Sequence, residues 1–196
     1  MNKPILYVDL DNVVFDTIDV IKYMYDEDYR LYDGYVEVPV EKIKNYSFSE
    51  LTLLTEEKLN EYFCSGRVFD LVSGIVDSEL SIALLNQLVN IPVVFVSIGT
   101  PENIRGKELW VKNYNKALGV NVEFIGVHGF DKSEIDMSGG ILIDDELKNL
   151  NSSNADLKIC FGNYDWNKEW TGIRAENWSK VRQIISGEVK RRNGES

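Results

Sequence analysis

The sequence predicts an α/β fold, a Rossmann-like parallel sheet flanked by helices, and three observations support this prediction. Short apolar runs typical of buried strands recur along the chain. Helical patterns separate these runs, and alternating strands and helices form parallel sheets with helices on both faces. One long segment interrupts the alternation after the first strand, and we expect it to form a small helical cap.

The strands and helices are predicted in chain order. Strands are expected where short runs are apolar and β-branched or aromatic, at residues 4–10, 92–97 and 140–143 and, with weaker patterns, at 122–127 and 157–161. Helices are expected at about residues 77–90, 102–118 and 175–186. The polar residues after about 187 are expected to be frayed and solvated.

The domain organisation follows from where the alternation breaks. Residues 17–75 are rich in Tyr, Phe and acidic residues, contain no convincing buried strand and are assigned to the helical cap. Residues 1–16 and 76–190 are assigned to one core domain, and residues 191–196 to a flexible tail. With 196 residues, of which 44% are hydrophobic, the chain can bury one core but is too short for two independent domains of usual size.

The charge balance limits the partners of the protein. Lys and Arg number 21 against 32 Asp and Glu, which gives a formal net charge of −11. An acidic surface repels polyanions, so we expect neither a nucleic acid polymer nor an anionic membrane as a partner. A small phosphorylated metabolite remains compatible with this charge, because a bound divalent cation can reverse the local field of a carboxylate cluster.

Cysteine usage and hydropathy favour a cytoplasmic location. The two cysteines, Cys64 and Cys160, have no C-x-x-C spacing, so neither a zinc site nor a disulfide framework is indicated. No stretch of about 18 apolar residues is present, and no signal-like apolar run precedes the first acidic pair. The sequence leaves the oligomeric state open, a homodimer included.

Acidic and hydroxyl residues follow three of the predicted strands. Asp9 and Asp11 follow the first strand, Ser97 closes the second, and Asp144 and Asp145 follow a third. Ligands of an open parallel sheet bind beyond the carboxyl ends of its strands. We therefore expect these side chains to share one site.

The four aspartates predict a divalent metal site. Asp9 and Asp11 point to the same side of a strand, which is costly for like charges unless a cation or a shared proton compensates. Hard carboxylate oxygens and the near absence of His and Cys favour Mg²⁺. An isolated D-x-D pair is also typical of a turn or a helix start. Two acidic pairs at strand ends, with Ser and Lys between them, are not explained in that way.

Four segments resemble the ordered motifs of the haloacid dehalogenase (HAD) superfamily: DLDNVVFDT at 9–17, Ser97 at the end of VVFVS, Lys132 in FDKSE, and ILIDDELKN at 141–149. The resemblance implies the HAD fold and a phosphatase that acts through an aspartyl-phosphate. Asp9 would be the nucleophile. Asp11 would protonate the leaving oxygen and then activate water.

The resemblance also implies which residues bind the substrate phosphate. Ser97 would donate a hydrogen bond to a phosphoryl oxygen, and Lys132 would supply positive charge in the transition state. Lys107 is an alternative for the lysine role. We prefer Lys132, because it follows a predicted strand and precedes the second acidic pair, whereas Lys107 lies inside an amphipathic helix pattern.

The metal ligands are implied in the same way. Mg²⁺ would be held by the Asp9 carboxylate, the Asp11 carbonyl and one carboxylate of the fourth motif. We prefer Asp145 for this last position. Asp144 would then orient one of the two phosphate-binding residues.

A narrower resemblance is to the 5′(3′)-deoxyribonucleotidases, which are phosphatases with a short helical cap. It rests on the ILIDD-type fourth motif, the F-D-K-S stretch before it, GKELWVKNY after the second motif, and a Trp-rich carboxy-terminal helix with Trp178. The implied substrate is a deoxyribonucleoside monophosphate, whose base would stack on cap aromatics. The candidates for contacts between cap and substrate are Phe48, Phe63, Phe69 and Thr17.

Three positions depart from the nucleotidase pattern. Asn12 stands where Gly is frequent, Thr17 where an aromatic residue is common, and Ile98 where a second hydroxyl residue is common. These departures leave the phosphatase chemistry intact but bear on nucleotide preference. Two alternatives therefore stay open: a HAD phosphatase for another small phosphomonoester, such as a sugar phosphate, and a non-catalytic module that binds a phosphate ligand. Loss of the acidic residues would indicate the module, and all four are present.

Overall fold

A sheet of six parallel strands forms the centre of the protein in a computed structural model that describes residues 3–44 and 47–194. The strands are β1 (Leu6–Val8), β2 (Val93–Ile98), β3 (Glu123–Val127), β4 (Ile141–Asp144), β5 (Leu157–Phe161) and β6 (Ile173–Ala175). Their order across the sheet is β3-β2-β1-β4-β5-β6. The α/β class expected from the sequence is thereby confirmed.

Helices connect these strands. They are α1 (Thr17–Tyr29), α2 (Glu56–Cys64), α3 (Gly66–Leu71), α4 (Ser78–Gln87), α5 (Pro101–Leu118), α6 (Leu147–Ser152) and α7 (Trp178–Asn193), with short 3₁₀ helices at Val40–Lys42 and Asp165–Asn167. Helix α5 shows clear sequence signals at both ends. The Thr100 hydroxyl accepts a hydrogen bond from the amide of Asn103, and Gly119 ends the helix with a φ of 63°. Among the described residues, no helix combines the length and the apolar character that a membrane crossing requires.

Strand β1 is central, because it pairs with both β2 and β4. Leu6 lies opposite Val93 on one side and Ile141 on the other. The amide of Asp9 donates to the carbonyl of Ile143 at 2.9 Å, which extends the pairing one residue beyond the strand. The backbone of Asp9 is therefore held by the sheet itself.

Side chains along β1 alternate between two hydrophobic clusters, as the two-residue period of a strand requires. Leu6 and Val8 belong to a cluster that includes Trp178 of α7. Tyr7 belongs to the other cluster, together with Leu150 of α6. The indole N–H of Trp178 also donates to the carbonyl of Val13 at 2.8 Å, which ties α7 to the loop after β1.

The segment assigned to a cap has a hydrophobic cluster of its own. Its buried members come from α1, α2, α3 and the chain between them, and include Ile21, Tyr25, Phe48, Tyr62 and Val68. Among its described residues, 17–44 and 47–75, the segment contributes no strand to the sheet.

The two ends of this segment leave the sheet side by side. The amide of Asp16 donates to the carbonyl of Ser73 at 3.1 Å, and the amide of Ile75 donates to the carbonyl of Val14 at 2.7 Å. An insertion whose ends meet can be accommodated without disturbing the sheet.

The carboxyl-terminal region differs from expectation in two respects. Helix α7 continues to Asn193, so residues 191–193 of the segment assigned to a flexible tail are helical; residues 195 and 196 lie outside the described chain. The Glu188 carboxylate accepts hydrogen bonds from Arg191 and Arg192, which lie one turn further along the helix. The edge strand β6 is also new, and its three residues are too few to produce a strand pattern in the sequence.

Candidate active site

The carboxyl ends of β1, β2 and β4 meet at one edge of the sheet, and the side chains that follow them converge on a cavity of about 290 Å³. Two chain regions line this cavity. The core contributes Asp9, Asp11, Ser97, Lys107 and Asp145, with Ile98, Gly99, Thr100, Asn103, Glu146, Lys148 and Asn149 around them, and helix α2 contributes Asn60 and Phe63.

Lys132 lies fully buried between two carboxylates. Its ammonium group donates to Oδ1 of Asp9 at 2.5 Å and to Oδ2 of Asp144 at 2.6 Å. Burial raises the pKa of Asp9 to about 7, an effect that Lys132 opposes and that Asp144 and Asp11 reinforce. Lys132 therefore supplies much of the positive charge that keeps a buried carboxylate anionic.

Asp144 is occupied by protein donors. Its Oδ1 accepts from the amide of Glu146 at 2.9 Å and from the side chain of Asn149 at 3.2 Å, while Oδ2 accepts from Lys132. Because both oxygens are engaged and the side chain is fully buried, Asp144 acts in the structure as a support for Lys132.

Asp145 lies beside this network and lines the cavity. Its Oδ2 accepts a hydrogen bond of 3.0 Å from the indole N–H of Trp166. Burial raises the pKa of Asp145 well above its usual range, and the nearby Asp144 and Asp9 raise it further. Burial and the neighbouring carboxylates thus disfavour the ionised form of Asp145.

The buried carboxylates fit a divalent cation. Asp9, Asp144 and Asp145 each offer an oxygen within 4.8 Å of the others. A cation would offset the repulsion that raises the pKa of Asp9 and Asp145. Since Asp144 is bound by three protein donors, Asp9 and Asp145 are the better ligands. Oxygen ligands of this kind suit Mg²⁺.

Lys107, the alternative lysine, also lies at the site. Its ammonium group donates to Oδ2 of Asp11, to Oγ of Ser97 at 2.8 Å and to the carbonyl of Ile98 at 3.3 Å. Its side chain is only 2% exposed. Both lysines therefore lie at the site. Lys132 donates a hydrogen bond to Asp9, and Lys107 donates one to Asp11.

A signal for Lys107 was present in the sequence. The buried residues of α5 are Asn103, Lys107, Val111 and Tyr114, which follow the spacing of a core-facing helical stripe. A lysine in such a stripe needs a buried partner, because an unpaired buried charge is costly. The spacing was visible in the sequence, but the structure was needed to show that this face of the helix is the buried one.

Thr17 contacts Asp11 and does not line the cavity. Its hydroxyl donates to Oδ1 of Asp11 at 2.8 Å, and its residue is 4% exposed. On the other side, the Ser97 hydroxyl lies 3.4 Å from Oδ2 of Asp11. We expected Thr17 to contact the substrate. In the structure its hydroxyl contacts the carboxylate of Asp11.

The three candidate phenylalanines have different surroundings. Phe63 lines the cavity. Phe48 is 1% exposed within the cap cluster and packs edge-to-face on Phe63, with ring centroids 6.3 Å apart. Phe69 packs against α5, where a Cβ added to Gly106 would lie 2.1 Å from its ring. Neither Phe48 nor Phe69 lines the cavity: Phe48 is buried in the cap cluster, and Phe69 is partly buried against α5.

Sequence reasoning missed the contact between α2 and α5 at the edge of the cavity. The Asn103 side chain donates to the carbonyl of Phe63 at 2.6 Å, and the Cys64 sulfur lies 3.2 Å from the Thr100 hydroxyl. The T-P-E-N sequence at residues 100–103 indicated the start of a helix but not what its first turn would contact.

Comparison with known proteins agrees with the architecture. A search of curated proteins found no significant match. Among solved structures, a HAD-superfamily hydrolase from Ehrlichia chaffeensis is 17% identical, with a TM-score of 0.53 over 95% of this chain and 98% of its own. A protein described as a predicted phosphatase from Clostridium acetobutylicum is 14% identical, with a TM-score of 0.65 over 95% of this chain and 100% of its own. At these identities the likeness shows the fold alone.

A family model identifies the class of enzyme. The family match and the fold together are those of a HAD-superfamily phosphatase. Residues 3–193 match the model of the 5′ nucleotidase, deoxy (Pyrimidine), cytosolic type C protein family, and the chain belongs to this family. The resemblance found in the sequence is thereby confirmed, and with it the prediction of an enzyme that hydrolyses phosphomonoesters.

Proposed function

We propose that the protein hydrolyses deoxyribonucleoside monophosphates in a Mg²⁺-dependent reaction through an aspartyl-phosphate on Asp9. One observation carries this proposal: two buried lysines divide the carboxylates of the site between them. Lys132 binds Asp9 and Asp144, whereas Lys107 binds Asp11 and Ser97. The nucleophile and the acid/base are thus each bound by a lysine of their own.

Asp9 is the nucleophile in this proposal. Its Oδ1 accepts from Lys132, so we assign the attack on phosphorus to Oδ2. In the first step the bond from Asp9 to phosphorus forms and the bond from phosphorus to the leaving oxygen breaks. Lys132 stabilises the anionic carboxylate of Asp9 before the attack. The backbone of Asp9 is held by its hydrogen bond to the sheet.

Asp11 is the acid/base. In the first step it gives its proton to the leaving oxygen, and in the second it takes a proton from the water that hydrolyses the aspartyl-phosphate. Thr17 fixes one oxygen of its carboxylate, and Lys107 and Ser97 contact the other. We assign the phosphoryl oxygens to Ser97 and Lys107, which both line the cavity.

Asp9 and Asp145 would hold Mg²⁺, with the Asp11 carbonyl as a third ligand. The metal would supply positive charge that offsets the repulsion between the substrate phosphate and the carboxylates. This charge is needed because the chain carries a net charge of −11 and the cavity is lined by Asp9, Asp11 and Asp145.

The leaving group would lie between α2 and the sheet edge. We propose that the base stacks on Phe63, with Asn60 beside it, because both residues line the cavity from α2. A second candidate, another small phosphomonoester, is favoured by Thr17. Its hydroxyl is directed to Asp11. The nucleotidases commonly have an aromatic residue at this position, so an aromatic ring that could pack against the base is absent here.

The test is phosphate release from a panel of deoxyribonucleotides, ribonucleotides and sugar phosphates, with Mg²⁺ and with excess EDTA. We expect turnover that EDTA abolishes and that is fastest with deoxyribonucleoside monophosphates. Asp9→Asn is the inactive variant, since it removes the nucleophile at nearly constant volume. Asp70→Asn is its matched control, because Asp70 is exposed and lies outside the cavity.

The outcomes separate the parts of the proposal. Faster turnover of sugar phosphates would exclude the nucleotidase assignment and retain the mechanism. Activity that survives excess EDTA would exclude the Mg²⁺ requirement. Equal activities of Asp9→Asn and wild-type protein would exclude Asp9 as the nucleophile.

A further inference from the structure

Trp166 contacts the carboxylate of Asp145 from outside the cavity. Its indole N–H donates to Oδ2 at 3.0 Å, and the Asp145 residue is 1% exposed. Trp166 does not line the cavity and lies on the 3₁₀ helix Asp165–Asn167, which follows β5. The contact joins residues 21 positions apart in the chain.

The same short helix also holds the backbone of Asp145. The side-chain amide of Asn167, which is fully buried, donates to the carbonyls of Asp145 and Phe161, both at 3.0 Å. The guanidinium of Arg174 donates to Oδ1 of Asn167 at 2.7 Å and to its carbonyl at 2.6 Å. Side chain and main chain of Asp145 are therefore positioned from one structural unit.

The plane of the Trp166 indole is fixed by a second aromatic residue. The ring of Tyr164 stacks on it with centroids 4.4 Å apart and planes 3° from parallel. The Tyr164 hydroxyl in turn donates to the carbonyl of Asn12 at 3.0 Å. The indole N–H is thus directed at Asp145 by contacts that reach back to the loop after β1.

The chemistry of the donor distinguishes Asp145 from Asp144. Asp144 is bound by the cationic Lys132, which offsets its charge. The donor to Oδ2 of Asp145 is a neutral indole, which orients the carboxylate without adding a positive charge that would repel a metal ion. A neutral donor leaves the negative charge of the ligand uncompensated, so that charge remains available to bind the cation. Hydrogen bonds to metal ligands commonly govern metal affinity.

We propose that Trp166 is a positioning residue that orients Asp145 for Mg²⁺. This inference rests on the metal dependence of the proposed function. Removing the indole N–H would delete a directed contact to Oδ2 of this carboxylate, and outer-sphere substitutions of this kind typically weaken metal binding by about 10–100-fold.

The test measures metal binding without substrate. Mg²⁺ affinity is determined by calorimetry, and Mn²⁺ affinity by electron paramagnetic resonance, for wild-type protein, Trp166→Phe and Trp170→Phe. Trp170 is the matched control, because it lies on the same segment and its indole N–H donates to the backbone carbonyl of Ile173 at 2.9 Å. We expect binding at least about 10-fold weaker in Trp166→Phe and unchanged in the control.

A double-mutant cycle tests whether the effect passes through Asp145. Once Asp145→Asn has weakened metal binding, adding Trp166→Phe should cause no further loss. An equal additional loss in that background would overturn the proposal, and so would a folded Trp166→Phe protein with wild-type affinity. Absence of metal binding by wild-type protein would overturn the Mg²⁺ requirement itself, which is a distinguishable result.

A measurement on wild-type protein covers the case in which Trp166→Phe does not fold. The indole N–H resonances of the four tryptophans are followed by ¹H–¹⁵N NMR during a Mg²⁺ titration. Trp→Phe variants at the other three positions assign their resonances, and the Trp166 resonance is assigned by elimination. The Trp166 resonance is expected to shift saturably with the calorimetric affinity, while that of Trp170 stays in place. A Trp166 resonance that does not respond would refute the inference.

Discussion

The hydroxyl of Thr17 donates a hydrogen bond to the carboxylate of Asp11 at 2.8 Å, and Thr17 is also the first residue of α1. The start of the inserted segment is therefore joined directly to the proposed acid/base. This contact orients the group that must protonate the leaving oxygen.

Thr17→Val should impair substrates according to their leaving groups. An alkyl phosphate needs a proton on its leaving oxygen, whereas p-nitrophenyl phosphate does not. We expect the rate constant of the first step, measured by rapid quench in a single turnover, to fall by about 10-fold or more with a deoxyribonucleotide, a part of the 10²–10⁴-fold that a positioned proton donor typically contributes, and to change little with p-nitrophenyl phosphate. Thr17→Ser, which keeps the hydroxyl, should restore this rate constant. Equal losses on both substrates would indicate a general structural effect.

Lys132→Met should abolish turnover and destabilise the fold. Removing the ammonium group leaves the carboxylates of Asp9 and Asp144 buried without their partner, and breaking a buried ion pair from one side typically costs about 3–5 kcal/mol. Urea denaturation monitored by circular dichroism measures this cost. Lys148→Met is the control, because Lys148 is exposed and should change stability by no more than about 0.5 kcal/mol. Similar denaturation midpoints for the two variants would disprove the structural role of Lys132.

Lys107 and Asp11 should act as one unit in catalysis. Lys107→Met removes an ammonium group that contacts both Asp11 and Ser97. Loss of one positioned donor typically lowers kcat by about 10²–10³-fold. In the cycle of Lys107→Met, Asp11→Asn and the double variant, we expect losses in kcat/KM that are far from additive. Additive losses would mean that the two residues contribute independently.

Asp16→Asn should stabilise the protein more at high pH than at low pH. Burial raises the pKa of Asp16 to about 7, and the carboxyl of Asp19 adds to the rise. The folded state therefore keeps a proton that the unfolded chain loses near pH 4. The stabilising contribution is fully present below about pH 4 and is lost as the pH rises through about 7. The neutral Asn avoids this loss.

Thermal unfolding at pH 5 and pH 8 measures the Asp16 effect. Because all other titrating groups are the same in wild-type protein and Asp16→Asn, the difference between their melting temperatures isolates this carboxyl. That difference should be larger at pH 8. Equal differences at the two pH values would show that Asp16 is ionised in the folded protein across this range.

The parts of the site that follow strands could be predicted from the sequence. Asp9, Ser97 and Asp145 come directly after apolar runs, and the topology of a parallel sheet brings the ends of such runs together. Lys132 was found through motif order. Lys107 was ranked lower, because one sequence does not show which face of an amphipathic helix points to a site and which to solvent.

The role of Trp166 could not have been read from the sequence. It depends on a 3₁₀ helix of three residues and on a contact with Asp145 across the end of the sheet. Short helices of this kind leave no periodic pattern. The sequence also could not separate Phe63, which lines the cavity, from the buried Phe48, since aromatic residues at a cavity and in a core have the same spacing.

The central place of β1 has a consequence for synthesis on the ribosome. The strand Leu6–Val8 emerges first, yet its neighbours begin only at Val93 and Ile141. Pairing over such separations is slow, because the chain loses the entropy of closing long loops before the contacts between the strands form. The inserted segment, whose contacts are more local, can pack earlier. The nucleophile gains its backbone partner only after Ile143 has emerged, so a truncated nascent chain has no assembled site.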